Sequence, residues 1–317
     1  MSANHVVLGT GAIGRAIAEE LVRRGESVRM LNRSGRMDEI PAGVDVVPSD
    51  LYDQANVREV TRGAKVVYQA AVPPYHEVAA KFPLFQRAIL DGLSGNGAKL
   101  VIVENMYMYG ATNGTPMTEE TPHHAHTRKG RARREASKIA FEAHRAGKIR
   151  VTSARGSDYF GPWGTESATT FGSRQIYPLL QGKTVQMIGR TDIPHTHTYL
   201  KDFGKALVIL GERDEADGQA WHVPNDQPRI TQGEMLKMFA EEAGLEYKMT
   251  SVGAGMLRFA GLFSPPAKEL VEMMYEFDQP FIIDSSKFER TFGVKATPMK
   301  EAIKATVAWY KSHPKKH

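Results

Sequence analysis

The chemistry begins with three glycines. Gly9, Gly11 and Gly14 stand in the order Gly9-Thr10-Gly11-Ala12-Ile13-Gly14, directly after the apolar run Val6-Val7-Leu8. A first glycine permits a tight turn out of a strand. A second lets a phosphate approach bare backbone, and a third lets the following helix pack closely on the strand. The helix that starts there offers free N–H groups and the positive end of its dipole to an anion. The spacing alone is a weak signal. Its place after a strand, before a helix and ahead of a second strand makes it a dinucleotide-binding turn, with Thr10, Ala12 and Ile13 supplying backbone.

The end of that second strand selects among dinucleotides. Met30-Leu31-Asn32-Arg33-Ser34-Gly35-Arg36 has no Asp or Glu where a carboxylate would accept hydrogen bonds from the adenosine ribose of NAD. Asn32, Arg33, Ser34 and Arg36 stand there instead, and arginine suits a 2′-phosphate. The segment favours NADP over NAD.

Other chemistries are poorly supported. His123-His124-x-His126 and His195-x-His197 invite a metal, but adjacent loop histidines without a carboxylate partner match a zinc site badly, and no metal is expected. The chain has 0 cysteines, which excludes disulfides, thiolate nucleophiles and sulfur-ligated metals. No Gly-x-Ser-x-Gly nucleophile elbow is present. The net charge is +5, much of it in Arg128-Lys129-Gly130-Arg131-Ala132-Arg133-Arg134 and in the tail Lys315-Lys316-His317. That run lacks the interleaved aromatics of a nucleic-acid surface. It reads as a solvated helix start, with an electropositive mouth for an anionic ligand as the second reading. No apolar run is long enough to cross a bilayer and no signal peptide is visible, so the expectation is a cytoplasmic protein with no membrane and no nucleic-acid partner.

Regular elements must position these groups. Short β-rich runs at His5–Leu8, Ser27–Leu31, Val44–Val47, Lys65–Gln69, Lys99–Val103 and Arg150–Ser153 alternate with helical patterns at Gly14–Arg24, Gln54–Thr61, Ala79–Gly92 and Ala132–Ala146. Strands separated by helices predict crossover units and a parallel sheet. The second half is less regular. It predicts a helix over Asp202–Gly211, a strand over Gln219–Val223, and helices at Thr231–Ala243, Met256–Phe263, Pro266–Phe277 and Met299–Lys311.

Several further segments follow in a fixed order: Ser49-Asp50-Leu51, Gln69-Ala70-Ala71-Val72, Asn105-Met106-Tyr107-Met108-Tyr109-Gly110, Arg155-Gly156-Ser157-Asp158-Tyr159-Phe160-Gly161-Pro162, Tyr199-Leu200-Lys201-Asp202, and Asp284-Ser285-Ser286-Lys287 with Phe292-Gly293. In that order and spacing the chain resembles, over nearly its whole length, the extended or atypical short-chain dehydrogenase/reductase superfamily of NAD-dependent epimerase/dehydratase type. The resemblance implies an α/β fold: a Rossmann doubly wound parallel sheet (residues 1–160 and about 202–225) with a smaller, mostly C-terminal α/β substrate-binding region (about 161–201 and 226–317). It further implies that Asp50 and Leu51 contact adenine, that Ala70, Ala71 and Val72 line the cofactor, and that Gly156 and Ser157 join them.

The resemblance also exposes departures. The family's Tyr-x-x-x-Lys pair, counted from Gly110, puts the cofactor-ribose lysine at Lys138 and leaves Arg134 where tyrosine belongs. The usual Ser/Thr is Asn105. An arginine stays protonated and is no general acid, so Tyr107 becomes the candidate proton donor, assisted by Asn105, and Arg134 a candidate substrate anchor. Two residues that hold a nucleotide diphosphate in the sugar-nucleotide enzymes are here Asp158 and His195. A carboxylate beside a diphosphate is repulsive, which points to a small, partly apolar substrate walled by Phe160, Trp163, His195 and His197, with Phe171, Tyr177, Met273 and Met274 near. The expectation is an NADP-dependent oxidoreductase moving hydride to or from a carbonyl, imine or activated alkene. An epimerase or dehydratase that uses bound NAD(P) transiently is the first alternative, and a non-catalytic NADP sensor the second. Relatives dimerise through the helix bearing Lys138, so a homodimer is expected.

Overall fold

The computed structural model describes residues 3–164, 169–263 and 265–315; the last two residues of the basic tail lie outside them. Contacts divide the chain into two units. The first comprises residues up to Met108, Arg128–Arg155 and Lys201–Val223; the second comprises Tyr109–Thr127, Gly156–Leu200 and the chain from Pro224 onward. The second unit takes about half of the chain rather than a smaller share, and it includes Tyr109–Thr127, a segment the sequence reading gives to the first.

The first unit is built on seven parallel strands: β1 (His5–Leu8), β2 (Val28–Asn32), β3 (Val44–Pro48), β4 (Val66–Gln69), β5 (Lys99–Glu104), β6 (Arg150–Arg155) and β7 (Ala220–His222). Their order across the sheet is β7-β6-β5-β4-β1-β2-β3. This is the doubly wound, Rossmann arrangement, in which the chain reverses direction across the sheet between β1 and β4. β1, β4 and β5 are buried along their full length, as expected of parallel strands covered on both faces. The crossovers are α1 (Ala12–Arg23), α2 (Gln54–Val60), α3 (Val78–Leu93), α4 (Arg128–Arg145) and α5 (Leu200–Glu212). On one face of the sheet, Val6, Leu8, Val67, Leu100 and Ile102 pack against Phe82, Phe85 and Ile89 of α3 and Ala136, Ile139 and Ala140 of α4.

Two adjacent strands of this unit bury a charge pair at their ends. Nε of Arg155, the last residue of β6, donates to Glu104, the last residue of β5, at 2.8 Å. Nη2 of Arg155 donates to the Ser137 hydroxyl of α4 at 3.3 Å.

The second unit contains a parallel sheet of three short strands, Thr198–Tyr199, Tyr159–Phe160 and Thr169–Phe171, and a parallel pair, Thr184–Ile188 with Lys248–Val252. Its core gathers Phe160, Phe171, Ile176, Met235, Phe239, Ile303 and Tyr310. The helix Gln232–Ala243 starts on a capping box, with Thr231 and Glu234 bonding each other's backbone N–H, and ends at Gly244 in the left-handed region. The single helix expected over Pro266–Phe277 is two, Pro265–Val271 and Tyr275–Asp278, and the one expected at Met256–Phe263 runs Ala254–Ala260. No helix among the described residues is long and apolar enough to cross a membrane.

Candidate functional site

The glycine turn takes the shape its spacing requires. Gly9 sits at φ +112°, where a side chain is strained, and a Cβ there would stand 2.8 Å from the Ala71 nitrogen. A Cβ on Gly14 would strike the Gly9 carbonyl oxygen. Gly11, the N-cap of α1, has φ −71°, and a Cβ there would meet nothing within 4 Å. Two glycines are therefore demanded by packing, while the third faces open space at a helix N-terminus. An anion could approach there, and a dinucleotide pyrophosphate fits this cradle. The contact of Gly9 with Ala70 and Ala71 brings the segment after β4 beside the turn; Val72 is exposed.

Asn32 organises the neighbouring loop rather than reaching outward. Its amide nitrogen donates to the Thr10 hydroxyl at 2.8 Å and to the Arg36 carbonyl at 2.7 Å. Its oxygen accepts from the Ser34 and Gly35 backbone N–H groups at 3.0 and 2.7 Å. Arg15 of α1 holds the next stretch by donating to the carbonyls of Asp38 and Glu39. Arg33, Ser34 and Arg36 are left exposed on this ordered loop. Arg33 lines a groove of 370 Å³ with Pro48, Ser49, Asp50, Asp53 and Asn56. Asp50 faces that groove, whereas Leu51 is buried in the core.

Asn105 and Tyr107 follow β5 directly. The Asn105 side-chain oxygen accepts the Tyr107 backbone N–H at 3.3 Å, so the two are locked in one turn, with Tyr107 half-buried. Lys138, expected beside them, is on an exposed side of α4. Its side chain is 60% exposed and lies 3.9 Å from Glu142. Arg134 is exposed as well. The inward face of α4 instead carries Lys129, Gly130, Ala132, Arg133, Ala136, Ser137, Ile139 and Ala140. The count from Gly110 misses this phase because it runs through the irregular segment 111–127. The signal that finds it lies in the sequence: small residues at 132, 136 and 140 recur at four-residue steps and mark the packed side. The basic run is thus not uniformly solvated, since Lys129 and Arg133 are buried.

In the second unit, Asp158, His195 and His197 form one cluster. Asp158 has φ 29°, a left-handed conformation that aspartate tolerates better than most residues. Its carboxylate accepts from the Thr170 hydroxyl at 2.7 Å and the Ser157 hydroxyl at 3.0 Å, and lies 2.6 Å from Nε2 of His195. The His195 ring stacks on Phe277 at 5.2 Å and Phe281 at 5.4 Å, and packs on His197 at 4.9 Å. Nδ1 of His195 and both ring nitrogens of His197 are buried with no hydrogen-bond partner among the described residues. Buried polar atoms without partners are uncommon and mark strain or function.

Burial opposes charge on Asp158, but the positive field and hydrogen bond of His195, the nearby His197 and the Thr170 hydroxyl outweigh it and hold the carboxyl at about 2. Burial first, and His195 second, push His197 down to about 3 against the pull of Asp158. Burial and the Asp158 charge raise Glu276 well above the ordinary carboxylate range. A histidine held neutral in the folded state stabilises it fully above the ordinary value of 6.5, and that stability is lost as pH falls toward about 3. The Asp158 contribution is likewise present above 3.8 and lost as pH falls through about 2. Glu276 works the other way, its contribution growing as pH falls, so the His197 part is read as a difference between two proteins. Between about pH 6.5 and 3 the stability of His197→Gln should fall less steeply, or rise more, than that of the unaltered protein; an unchanged slope in the variant contradicts the assignment.

Other expected wall residues are structural. Phe160 is core, packed on Tyr199 and Phe239. Trp163 packs on Trp309 and His313 near the chain's end, and Tyr177 donates to the His313 carbonyl at 2.6 Å. Met273 and Met274 are buried. Phe171 does reach the cluster, edge-on to His197 at 5.1 Å. Gly156 and Ser157 lie in the second unit, where the Ser157 N–H donates to Thr198. Among the described residues no group of His, Asp and Glu is arranged to hold a metal ion.

A family model described as NAD dependent epimerase/dehydratase family matches residues 6–223. A search among curated proteins gives no match. Similar solved structures include a UDP-N-acetylglucosamine 4-epimerase from Methanobrevibacter ruminantium, at 16% identity and TM-score 0.80 over 99% of both chains. A UDP-glucose 4-epimerase from Thermotoga maritima gives 17% and 0.78 over 98% of this chain and 99% of that one. A dTDP-glucose 4,6-dehydratase from Bacillus anthracis, in complex with NAD, gives 16% and 0.76 over 98% and 97%.

Proposed function

Because the chain belongs to the NAD dependent epimerase/dehydratase family, we propose that it binds a nicotinamide dinucleotide and acts on a small hydroxyl- or carbonyl-bearing substrate, restoring the coenzyme in each turnover. The observation that carries this reading is the cradle: Gly9 and Gly14 leave no room for a Cβ, and Gly11 is open at the N-terminus of α1. Backbone N–H groups from Gly11 to Gly14 would hold the pyrophosphate, Arg33, Ser34 and Arg36 the adenosine ribose, and Asp50 the adenine edge. The dinucleotide, when bound, supplies the hydride acceptor and donor. Asn105 and Tyr107 would offer hydrogen bonds just beyond β5.

A second reading is a net oxidoreductase that consumes NADPH. Its support is the exposed pair Arg33 and Arg36, in a segment, Met30 to Arg36, that has no Asp or Glu. Analysis of coenzyme carried through purification, with assays over carbonyl compounds and nucleotide sugars, separates the two. Retained coenzyme with isomerisation or dehydration favours the first, and stoichiometric NADPH oxidation the second. NADP⁺ is expected to bind more tightly than NAD⁺, and Arg33→Asp to reduce or reverse the preference by about tenfold, or about 1.4 kcal/mol. Equal affinities in the unaltered protein would contradict the NADP assignment.

A further inference from the structure

Between Glu246 and Glu269, in the second unit, the chain has no Asp or Glu. Its charged residues there are Lys248, Arg258 and Lys268, all exposed. Within the stretch runs Met256-Leu257-Arg258-Phe259-Ala260-Gly261-Leu262-Phe263. A surface helix ordinarily buries one apolar face and shows water a polar one. The helix Ala254–Ala260 departs from that rule. Leu257 takes its inward side, packed with Met274 and Phe277. The other side is apolar too: Met256 and Phe259 are exposed, and so are Leu262 and Phe263 in the turn that follows. That turn prolongs the helix. The Gly261 N–H donates to the Leu257 carbonyl at 2.8 Å, and the Leu262 and Phe263 N–H groups donate to those of Phe259 and Ala260 at 3.2 and 3.1 Å. The Phe259 and Phe263 rings meet edge-on, with centroids 5.9 Å apart.

Among the described residues the most exposed large apolar side chains are Phe263 (79%), Leu262 (73%), Phe259 (67%), Leu84 (64%) and Met256 (61%). All but Leu84 of α3 fall within this one short segment. Together they present on the order of 500 Å² of apolar surface, a size at which an exposed patch is often functional. Two cations border it. Arg258 lies between Leu257 and Phe259 in sequence, and Lys268 lies beside the turn, since a Cβ on Gly261 would stand 3.1 Å from the Lys268 Cα.

That charge decides what covers the patch. A second copy seated on it would bring Arg258 and Lys268 of both chains into one interface, with no acid in the stretch to pair them. An anionic lipid surface meets the same cations with opposite charge and takes exposed Phe, Leu and Met side chains into its headgroup layer. The expectation of no membrane partner rests on the lack of a spanning run, and a protein that lies on a surface needs none.

We propose that the segment Met256 to Phe263, bordered by Arg258 and Lys268, docks the protein on an anionic lipid surface, with Met256, Phe259, Leu262 and Phe263 entering the headgroup layer and the two cations meeting lipid phosphates. This surface is independent of the dinucleotide reading.

The chain has 0 cysteines, so Phe263→Cys and Leu84→Cys each create a single labelling point. The full chain, labelled at either position with an environment-sensitive fluorophore, is titrated with vesicles of phosphatidylcholine alone and of phosphatidylcholine with about one-third phosphatidylserine. With the anionic vesicles, emission is expected to shift to the blue at position 263 and to stay unchanged at position 84. The unlabelled, unaltered protein should sediment with them at least about tenfold more than with the neutral ones. Phe259→Ser should cut that sedimentation about tenfold and Arg258→Gln about fivefold. Both side chains are exposed, so the unfolding temperature should not move. Equal sedimentation with the two kinds of vesicle, undiminished sedimentation of either variant, or the same shift at positions 84 and 263 overturns the proposal. So does a dimer that Phe259→Ser dissociates in a protein that sediments with neither vesicle, because a second copy then covers the patch.

Discussion

Gly14→Ala should destabilise the first unit by about 1–3 kcal/mol, the cost of overpacking a close contact, and should abolish measurable dinucleotide binding. The added methyl collides with the Gly9 carbonyl, so the turn must open or α1 must lift, and either change dismantles the N-terminal amide array. Gly11→Ala makes the informative contrast. Its φ of −71° suits alanine and its Cβ would stand in open space. Its cost to stability should stay within about 1 kcal/mol, the loss of a good N-cap residue. Yet the same methyl stands where a phosphate must approach, so affinity should fall about tenfold or more, at least about 1.4 kcal/mol. Thermal unfolding and coenzyme titration of the two variants check this. A Gly11→Ala protein that binds as well as the original would remove the main support for the cradle.

Arg155→Met is expected to cost about 3–5 kcal/mol, the penalty of leaving one member of a buried ion pair without its counter-charge. Glu104 and Arg155 have side chains only 4% and 3% exposed and meet at 2.8 Å. Removing the guanidinium strands the Glu104 carboxylate between two adjacent strands and frees Ser137 of α4. Denaturant unfolding measures the loss. The double replacement of Glu104 and Arg155 by Gln and Met should recover part of it, because neither charge of this pair is then left facing an uncharged partner. A single variant of undiminished stability would mean that solvent reaches this pair.

Much of the first unit is legible in the sequence because local pattern and tertiary role coincide there. Strands such as His5–Leu8 and Val66–Gln69 are short apolar runs that end up buried on both faces, and the glycines after β1 state their geometry by spacing alone. The second unit resists for a physical reason. Tyr159–Phe160 and Thr198–Tyr199 are two-residue strands created by their pairing, and Lys248–Val252 is a strand because Thr184–Ile188, far away in sequence, lies beside it. The helix Ser173–Leu180 carries Pro178, which reads locally as a breaker. Site residues divide the same way. Gly9, Asn32 and Arg33 are fixed by short-range geometry, whereas which side of α4 is buried depends on the phase of a helix that begins after an irregular loop. The cluster of Asp158 with His195 joins residues brought together only by the fold.

One contact bears on how the cradle behaves before any ligand arrives. Gly204 of α5 lies so close to α1 that a Cβ on it would stand 2.5 Å from the Ala16 carbonyl carbon. α1 is thus packed closely between the turn at Gly9 on one side and α5 on another. The entropy of ordering the amide array is spent during folding, so an anion bound there would meet a preorganised receptor and lose little of its binding energy to rearrangement. A receptor packed in this way would discriminate by shape, favouring a pyrophosphate-sized group over anything bulkier.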